Sequence, residues 1–401
     1  MISIKQLYKI GPGPSSSHTI GPKNAVEYVL NNYCGFDFVE MTFYGSLAET
    51  GKGHLSDYIA DITFKNFPHE IKFDYTTHTR HPNTMVFRLF KDSNLVNEVT
   101  IVSVGGGLIK LAKEKVKKEK DCYPHKNFEE IKAYCLSNNL SLIDYIYKYE
   151  DEDIYSYTES IMKTMIQSVE SGLSKTGLLP GKLKVERKAK ELFEHIDKNE
   201  SPEIKEKRLI SAYAFATSEE NASGELIVTA PTCGACGILP SLLRYHLDKR
   251  YSEKELIEGL LIAGLMGVIV KHNASISGAE CGCQAEIGTA SSMGAAFLSF
   301  INGGNIFEIE RAAEIALEHS LGLTCDPIEG YVQIPCIERN AIGANRSMMA
   351  YALSKLMGQT NSKITFDMAV KTMYYTGKDL SKRYRETARG GLAKTYEKQA
   401  K

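Results

Sequence analysis

The chain has 401 residues, of which 48 are basic and 49 are acidic, so its formal net charge is −1. This balance lacks the basic excess that favours nucleic-acid binding. A hydrophobic content of 43% and a charged content of 24% are ordinary for a globular protein, and the length is sufficient for two domains.

The longest apolar run, GLLIAGLMGVIV at residues 259–270, has twelve residues. A run of this length is too short to span a bilayer, so it predicts a buried core helix and no membrane association. The chain opens MISIKQLYKIGPGPSSSH, without a charged and then apolar signal segment. Nine cysteines in such a chain indicate reduced thiols and a cytoplasmic protein.

The first hundred residues have a mixed pattern that predicts one helix at residues 24–34 and several strands. The predicted strands are rich in Val, Ile, Phe, Tyr and Thr and lie at residues 38–45, 59–67, 71–75, 83–90 and 97–105. The triple glycine at 105–107 is expected to end the strand pattern. The lysine-rich KEKVKKEK that follows is interpreted as a solvated helix face because glutamates are interspersed.

After residue 150 the apolar residues recur at helical spacing. The predicted helices lie at residues 153–173, 182–199, 202–224, 252–273, 289–303 and 305–323. The predicted fold class is therefore α+β. A small N-terminal α/β domain, residues 1–150, precedes an all-helical domain, residues 151–401.

Two glycine-rich polar loops are candidates for function. The first, GPGPSSSHTIGP at residues 11–22, gathers Ser16, Ser17 and Thr19 before a helix, where hydroxyl and backbone N–H groups can bind a carboxylate or phosphate. His18 in this loop is a candidate general base because its ordinary pKa is near neutral. The alternative is that the loop is only a serine-rich helix cap.

The second loop, YGSLAETGKGH at residues 44–54, carries Ser46, Lys52 and His54 around glycines. It resembles an anion-binding loop but lacks the spacing and the final Lys-Ser/Thr pair of a Walker A motif.

Cysteines form a third group of candidates. Cys233 and Cys236 make a C-x-x-C, and Cys281 and Cys283 make a C-x-C. These four thiols could form a redox or zinc site, although small packing residues in a loop of close approach are the favoured interpretation of Cys233 and Cys236.

Cys283, Cys325 and Cys336 lie in stretches rich in Gly, Pro and polar residues, with separations of 42 and 11 positions. Three thiolates can hold an iron–sulfur cluster and leave one iron open, which favours Lewis-acid chemistry over electron transfer. Burial as small apolar residues is the alternative for each cysteine. The neighbouring prolines favour ligands, because they present the thiols from rigid turns.

Six motifs then carry a resemblance that spans nearly the whole chain. In order along the sequence they are GPSSSHTIGP, FYGSLAETGKGH, RHPNTMVF with SVGGG, TAPTCGACGILP, SGAECGCQAEIGTASSMGAA and CDPIEGYVQIPCIERNAIGAN. Together they resemble the bacterial iron–sulfur L-serine dehydratases, with β-type and α-type parts fused in one polypeptide.

The resemblance implies a [4Fe–4S] cluster held by Cys283, Cys325 and Cys336, without pyridoxal phosphate. It implies that His18 removes the α-proton of L-serine while an open iron assists the loss of hydroxide, giving pyruvate and ammonia. Ser16, Ser17, Thr19, Ser46 and Lys52 are then expected to hold the substrate, and the active site is expected between the two domains.

Elimination from L-cysteine or L-threonine on the same cluster is the closest alternative. A zinc-structured or redox-sensing binding protein that uses Cys233, Cys236, Cys281 and Cys283 is a different class. The expected partners are a small amino-acid substrate and a second copy of the chain in a homodimer.

Overall fold

The structure is a computed structural model that describes residues 1–112, 121–247, 249, 251–357, 362–387 and 389–399. The lysine cluster KEKVKKEK lies outside these residues. The strands are β1 (Ile10–Pro12), β2 (Phe38–Tyr44), β3 (His69–Asp74), β4 (Thr84–Lys91), β5 (Asn94–Gly105), β6 (Leu108–Leu111) and β7 (Leu226–Val228).

The α-helices are α1 (Gly21–Asn32), α2 (Ser46–Thr50), α3 (Ser56–Phe64), α4 (Phe128–Ser137), α5 (Leu142–Tyr149), α6 (Ile154–Ser174), α7 (Ala189–Glu194), α8 (Pro202–Ala222), α9 (Ile238–Leu247), α10 (Glu253–Asn273), α11 (Gly278–Cys281), α12 (Thr289–Ile301), α13 (Ile306–Glu318), α14 (Cys336–Leu356), α15 (Phe366–Asp379) and α16 (Gly391–Gln399). A small sheet region followed by helices confirms the predicted α+β class.

Five strands form one sheet in the order β3-β2-β4-β5-β6, in which β2 and β3 run parallel and the other neighbours are antiparallel. Alternate residues of the central strands, such as Met41, Phe43 and Phe87, are buried on one face. Helices α1 and α3 cover that face and share its core through Val26 and Phe64. The period-two alternation is the pattern expected of a sheet with one covered face.

The predicted strand at residues 59–67 is wrong, because most of it belongs to α3. Ile59, Ala60 and Phe64 are buried, while Ile62 is half exposed, and this spacing is helical. Packing on the sheet therefore overrides the strand preference of its β-branched and aromatic residues.

The expectation that the triple glycine ends the strand pattern is also wrong. Gly106 and Gly107 have φ values of +58° and +78°, a left-handed conformation that glycine adopts readily. They form a turn, so β6 pairs with β5 as a further strand.

The predicted helix at residues 182–199 is mostly wrong, because the structure has only the short α7 there. An antiparallel bridge between Leu178 and Glu186 holds the preceding residues extended. Arg187 is buried next to the bridge and donates to Glu220 at 2.9 Å, so this buried ion pair competes with helix formation.

The helical part is organised around α10, whose residues 259–270 are fully buried, which confirms the predicted core helix. Helices α5, α6, α12 and α15 contact it. Within the described residues, no helix is both long and apolar enough to span a bilayer.

The first residues of the chain also belong to the core of the helical part. Ile4 and Tyr8 pack in the same cluster as α10, and Tyr8 donates to the Leu260 carbonyl at 2.9 Å. Strand β1 pairs with β7, so one short strand lies within the part predicted to be all-helical. These contacts hold the first polar loop against the helical part. The division of the chain at residue 150 stays a prediction.

Candidate active site

A cavity of about 910 Å³ lies where the first polar loop and the β5–β6 turn meet the helical part. The N-terminal part of the chain, before β6, contributes Ser15, Ser16, Ser17, His54 and Gly106 to the cavity wall. Residues from the helical part include Cys233, Lys271, Glu286, Cys325, Cys336 and Glu386. Polar loops and thiols that are far apart in sequence therefore share one cavity.

His18 and His54 form a stacked pair beside this cavity. Their ring centroids lie 4.7 Å apart with an interplanar angle of 29°. Nε2 of His18 lies 3.0 Å from Oγ of Ser46, and Nδ1 of His54 lies 3.0 Å from the Thr50 carbonyl oxygen. His54 is the ring that lines the cavity.

Hydrogen bonds within the two polar loops fix this pair. The backbone N–H of His18 donates to Oγ of Ser15 at 3.2 Å, and the Thr19 hydroxyl donates to the His54 carbonyl at 2.8 Å. The Ser56 hydroxyl donates to the His18 carbonyl. The serines and threonine therefore cap a helical turn and also join the two loops.

Burial determines the charge of both histidines. Burial and the neighbouring His54 lower the pKa of His18 to about 3, although the contact with Ser46 acts in the opposite direction. Burial also lowers the pKa of His54. Because a carbonyl oxygen only accepts, Nδ1 of His54 carries the proton and Nε2 is its proton-accepting nitrogen.

Two of the three predicted ligand thiols meet beside a carboxylate. Sγ of Cys283, Sγ of Cys325 and a carboxylate oxygen of Glu286 all lie within 4.8 Å of one another. Cys336 lies outside this group but lines the same cavity as Cys325. Thr232 donates to Glu286 at 2.7 Å, which orients the carboxylate toward the thiols.

Each cysteine is positioned by a different local structure. The Gln284 backbone N–H donates to the Leu323 carbonyl at 3.1 Å, which ties the turn at Cys283 to the segment that precedes Cys325. Cys325 has an extended backbone that pairs with residues 384–386. Cys336 is the first residue of the 21-residue α14, where the helix dipole favours a thiolate.

Burial opposes ionisation of these thiols. A hydrogen bond with Cys283 and burial raise the pKa of Cys325, while burial and the charge of Cys283 raise that of Cys336. The guanidinium of Arg339 acts in the opposite sense on Cys336. It also donates to the Thr324 carbonyl at 2.5 Å and to Asp326 at 3.3 Å.

This donor set fits an iron–sulfur cluster. Sulfur donors suit iron–sulfur clusters and zinc, and a bound cation would compensate the cost of ionising buried thiols. Gly278 lies close to this donor set, because a Cβ added there would lie only 3.2 Å from the Cys325 sulfur and 2.7 Å from the Glu286 carboxylate. Glycine at this position keeps the wall of the cavity open beside the thiols.

The chain is similar in sequence to known proteins over nearly its whole length. The family model described as "Serine dehydratase alpha chain" matches residues 91–393, and that described as "Serine dehydratase beta chain" matches residues 3–63. The chain is 38% identical to the L-serine dehydratase of Haemophilus influenzae, covering 98% of this chain and 99% of that protein. It is 36% identical to L-serine dehydratase 2 of Escherichia coli, covering 98% of each.

The chain belongs to the serine dehydratase family. It is therefore an enzyme of the lyase class. The alignment with the Haemophilus protein extends over 451 positions, more than the 401 residues here, so that relative contains insertions.

The predicted substrate-binding residues occupy different environments. Ser16 and Ser17 line the cavity, whereas Thr19 is fully buried under His54. Ser46 contacts His18, away from the residues that line the cavity. Lys52 is exposed, and its Nζ lies 5.4 Å from the ring centroid of Phe73.

The four thiols of the alternative zinc site are not gathered in the structure. Within the described residues, the only group of three or more metal-ligand side chains is that of Cys283, Glu286 and Cys325. Cys281 packs against α15, because a Cβ added to Gly377 would lie 2.5 Å from its sulfur. Cys233 lies 3.5 Å from the Ser16 hydroxyl and lines the cavity.

Sequence reasoning missed several residues of the site. Glu286, Arg339 and Glu386 are absent from the residues that the sequence predicts for the site. The sequence predicts His54 only as part of a candidate anion-binding loop. Glu286 follows Cys283 by three positions in GCQAE, and Arg339 follows Cys336 by three in CIER, so proximity to the cysteines was a usable signal. Glu386 offered no such signal, because it lies 61 positions after Cys325.

Proposed function

We propose that the protein is an L-serine ammonia-lyase that converts L-serine to pyruvate and ammonia. One observation supports this most strongly. The serine-rich loop, His54 and the predicted ligands Cys325 and Cys336 line one cavity of about 910 Å³, and His18 stacks on His54. Elimination from serine requires both a base for the α-proton and help for a poor leaving group, and the two walls offer one each.

In this proposal Cys283, Cys325 and Cys336 hold a [4Fe–4S] cluster. Such a cluster would supply Lewis acidity at an iron without a protein ligand, which assists the departure of hydroxide. Arg339 balances the negative charge of the thiolates, and Glu286 lies against two of them. Pyridoxal phosphate takes no part in the proposed reaction.

The histidine pair serves as the base in the proposed reaction. Both rings are neutral at neutral pH because burial lowers their pKa values, so an imidazole nitrogen is able to accept the α-proton. The sequence assignment is His18, whereas His54 is the histidine among the residues that line the cavity. Stacking allows the two rings to act together.

The proposed substrate lies against the serine-rich loop. Hydroxyl groups of Ser16 and Ser17 face the cavity and can donate to a carboxylate. Ser46 orients His18, and Thr19 holds the backbone of His54 in place. Lys52 is exposed and is not among the residues that line the cavity, so its predicted contact with the substrate is expected to contribute little.

Anaerobic reconstitution with iron and sulfide, followed by a pyruvate assay on L-serine, tests the function. About four irons and four sulfides per chain together with pyruvate formation are expected. One zinc without sulfide would contradict the proposal. Parallel assays with L-threonine and L-cysteine test the alternative substrates, for which a higher kcat/KM than for L-serine would reassign the activity.

We also propose that the enzyme acts in the cytoplasm as a homodimer. Sedimentation of the anaerobic holoenzyme tests the assembly, for which twice the chain mass of 44.6 kDa is expected. A pyruvate yield that is independent of added pyridoxal phosphate is expected as well.

A further inference from the structure

Glu386 lines the cavity and has no role in the chemistry assigned so far. It belongs to the segment after α15 and is joined to the cysteine wall by two backbone hydrogen bonds. The Cys325 N–H donates to the Tyr384 carbonyl at 2.8 Å, and the Glu386 N–H donates to the Cys325 carbonyl at 2.7 Å. These bonds therefore hold the backbone of Glu386 directly against that of Cys325, a predicted cluster ligand.

The backbone at Glu386 is unusual for its residue type. Its φ is +55°, a left-handed conformation that glycine and asparagine adopt more readily than glutamate. Such conformations persist when the surroundings impose them, and they concentrate at functional sites. Here two backbone bonds to the segment of Cys325 hold this conformation, and Glu386 lines the cavity.

The charges around Glu386 leave it in need of a cation. Burial, and after it the charge of Glu286 on the same cavity, raise the pKa of Glu386 to about 8. Arg339, the guanidinium beside the thiols, is engaged by Asp326 and the Thr324 carbonyl.

We propose that Glu386 binds the α-ammonium group of the substrate and so selects amino acids over the corresponding carboxylic acids. The inference rests on the proposed function. An ammonium group bound in this cavity would meet the carboxylates of both Glu386 and Glu286, which line it. Hydrogen bonds between charged groups are the strong ones, and an uncharged ligand leaves both carboxylates unpaired.

The test compares Glu386→Gln with Glu329→Gln in the anaerobic holoenzyme. Glu329 is a suitable control because it is exposed and also has a left-handed φ, of +50°. Glu386→Gln is expected to raise KM for L-serine about tenfold or more, with kcat changed much less. Iron and sulfide content are expected to equal those of the wild type, and Glu329→Gln is expected to match the wild type throughout.

A binding measurement separates this inference from the proposed function. Calorimetry compares L-alanine, which has no leaving group, with propionate, which lacks the ammonium group. Glu386→Gln is expected to weaken L-alanine about tenfold or more and to leave propionate unchanged or tighter. Equal changes for both ligands, or an unchanged L-alanine affinity, overturn the inference.

Loss of the cluster in both Glu386→Gln and Glu386→Asp also overturns it, in favour of a structural role. If the wild type does not convert L-serine, the proposed function fails, while the comparison of L-alanine with propionate still tests Glu386.

Discussion

The Ser16 hydroxyl lies 3.5 Å from the Cys233 sulfur, which brings together residues 217 positions apart in the chain. Through this contact the serine-rich loop closes over the helical part. Both residues line the cavity, and the contact is supported by the pairing of β1 with β7. The site therefore depends on the N-terminal segment remaining docked on the helices.

Replacing each predicted cluster ligand tests the metal site. Cys283→Ser, Cys325→Ser and Cys336→Ser are each expected to lose most of the iron and sulfide and all pyruvate formation, because a serine hydroxyl is a poorer donor for iron than a thiolate. Iron and sulfide analysis after reconstitution measures this.

Cys281→Ser is the matched control. Cys281 lies only two positions before Cys283 in the sequence, but its sulfur packs against Gly377. It is expected to retain the cluster. Retention of a full cluster in any of the three ligand variants would remove that residue from the ligand set.

Single replacement of the stacked histidines tests the base. His18→Asn and His54→Asn are each expected to lower kcat by about 100-fold or more while the cluster content stays normal, as for loss of a general base. The larger loss identifies the ring that removes the α-proton. Near-normal turnover in both variants would show that the base lies elsewhere.

The same histidines predict a dependence of stability on pH. Burial lowers the pKa of His18 from 6.5 to about 3 in the folded protein. Between about pH 3 and pH 6.5 the unfolded chain binds more protons at this histidine than the folded protein does. The contribution of His18 to the free energy of unfolding is therefore complete above about pH 6.5 and is lost as the pH falls toward 3. The midpoint of urea unfolding is therefore expected to fall as the pH is lowered below about 6.5.

In the His18→Asn variant this fall is expected to be shallower, because one proton-binding group is removed. The same slope in the variant and the wild type would contradict the burial of a neutral His18.

Substrate contacts are tested by Ser16→Ala and Ser17→Ala, which remove hydroxyl groups from the cavity wall. Each is expected to raise KM for L-serine several-fold, as for loss of a hydrogen bond to a charged group. Lys52→Ala provides a comparison from the same predicted set. Because Lys52 is exposed and lies over Phe73, the KM of the Lys52→Ala variant is expected to stay near that of the wild type. An increase in KM as large as that of Ser16→Ala would show that Lys52 contacts the substrate.

Gly172→Ala tests the packing of the helical part. A Cβ at this position would lie 2.3 Å from the Ala216 carbonyl oxygen, where α6 crosses α8. Overpacking against backbone is expected to destabilise the fold by about 1–3 kcal/mol, seen as a lower midpoint of thermal unfolding. Gly53→Ala is the control, because its added Cβ makes only ordinary contacts from 3.4 Å outward, and it should leave the midpoint nearly unchanged.

The 21-residue helices α6, α8 and α10 were predictable from sequence, because helix propensity adds up over a long segment. Local preference failed at residues 59–67, where sheet packing selects a helix, and at residues 182–199, where the buried pair of Arg187 and Glu220 competes with helix formation. These failures have one cause, because long-range contacts override the local preference of a short segment.

The amino-acid sequence by itself determined the motifs, their order and hence the family, together with the residue types that carry the proposed chemistry. The tertiary structure alone decided which of them meet. It stacks His18 on His54, packs Cys281 against Gly377 and brings Glu386 and Glu286 to one cavity. These contacts join residues tens to hundreds of positions apart, and folding of the whole chain is what brings them into one cavity.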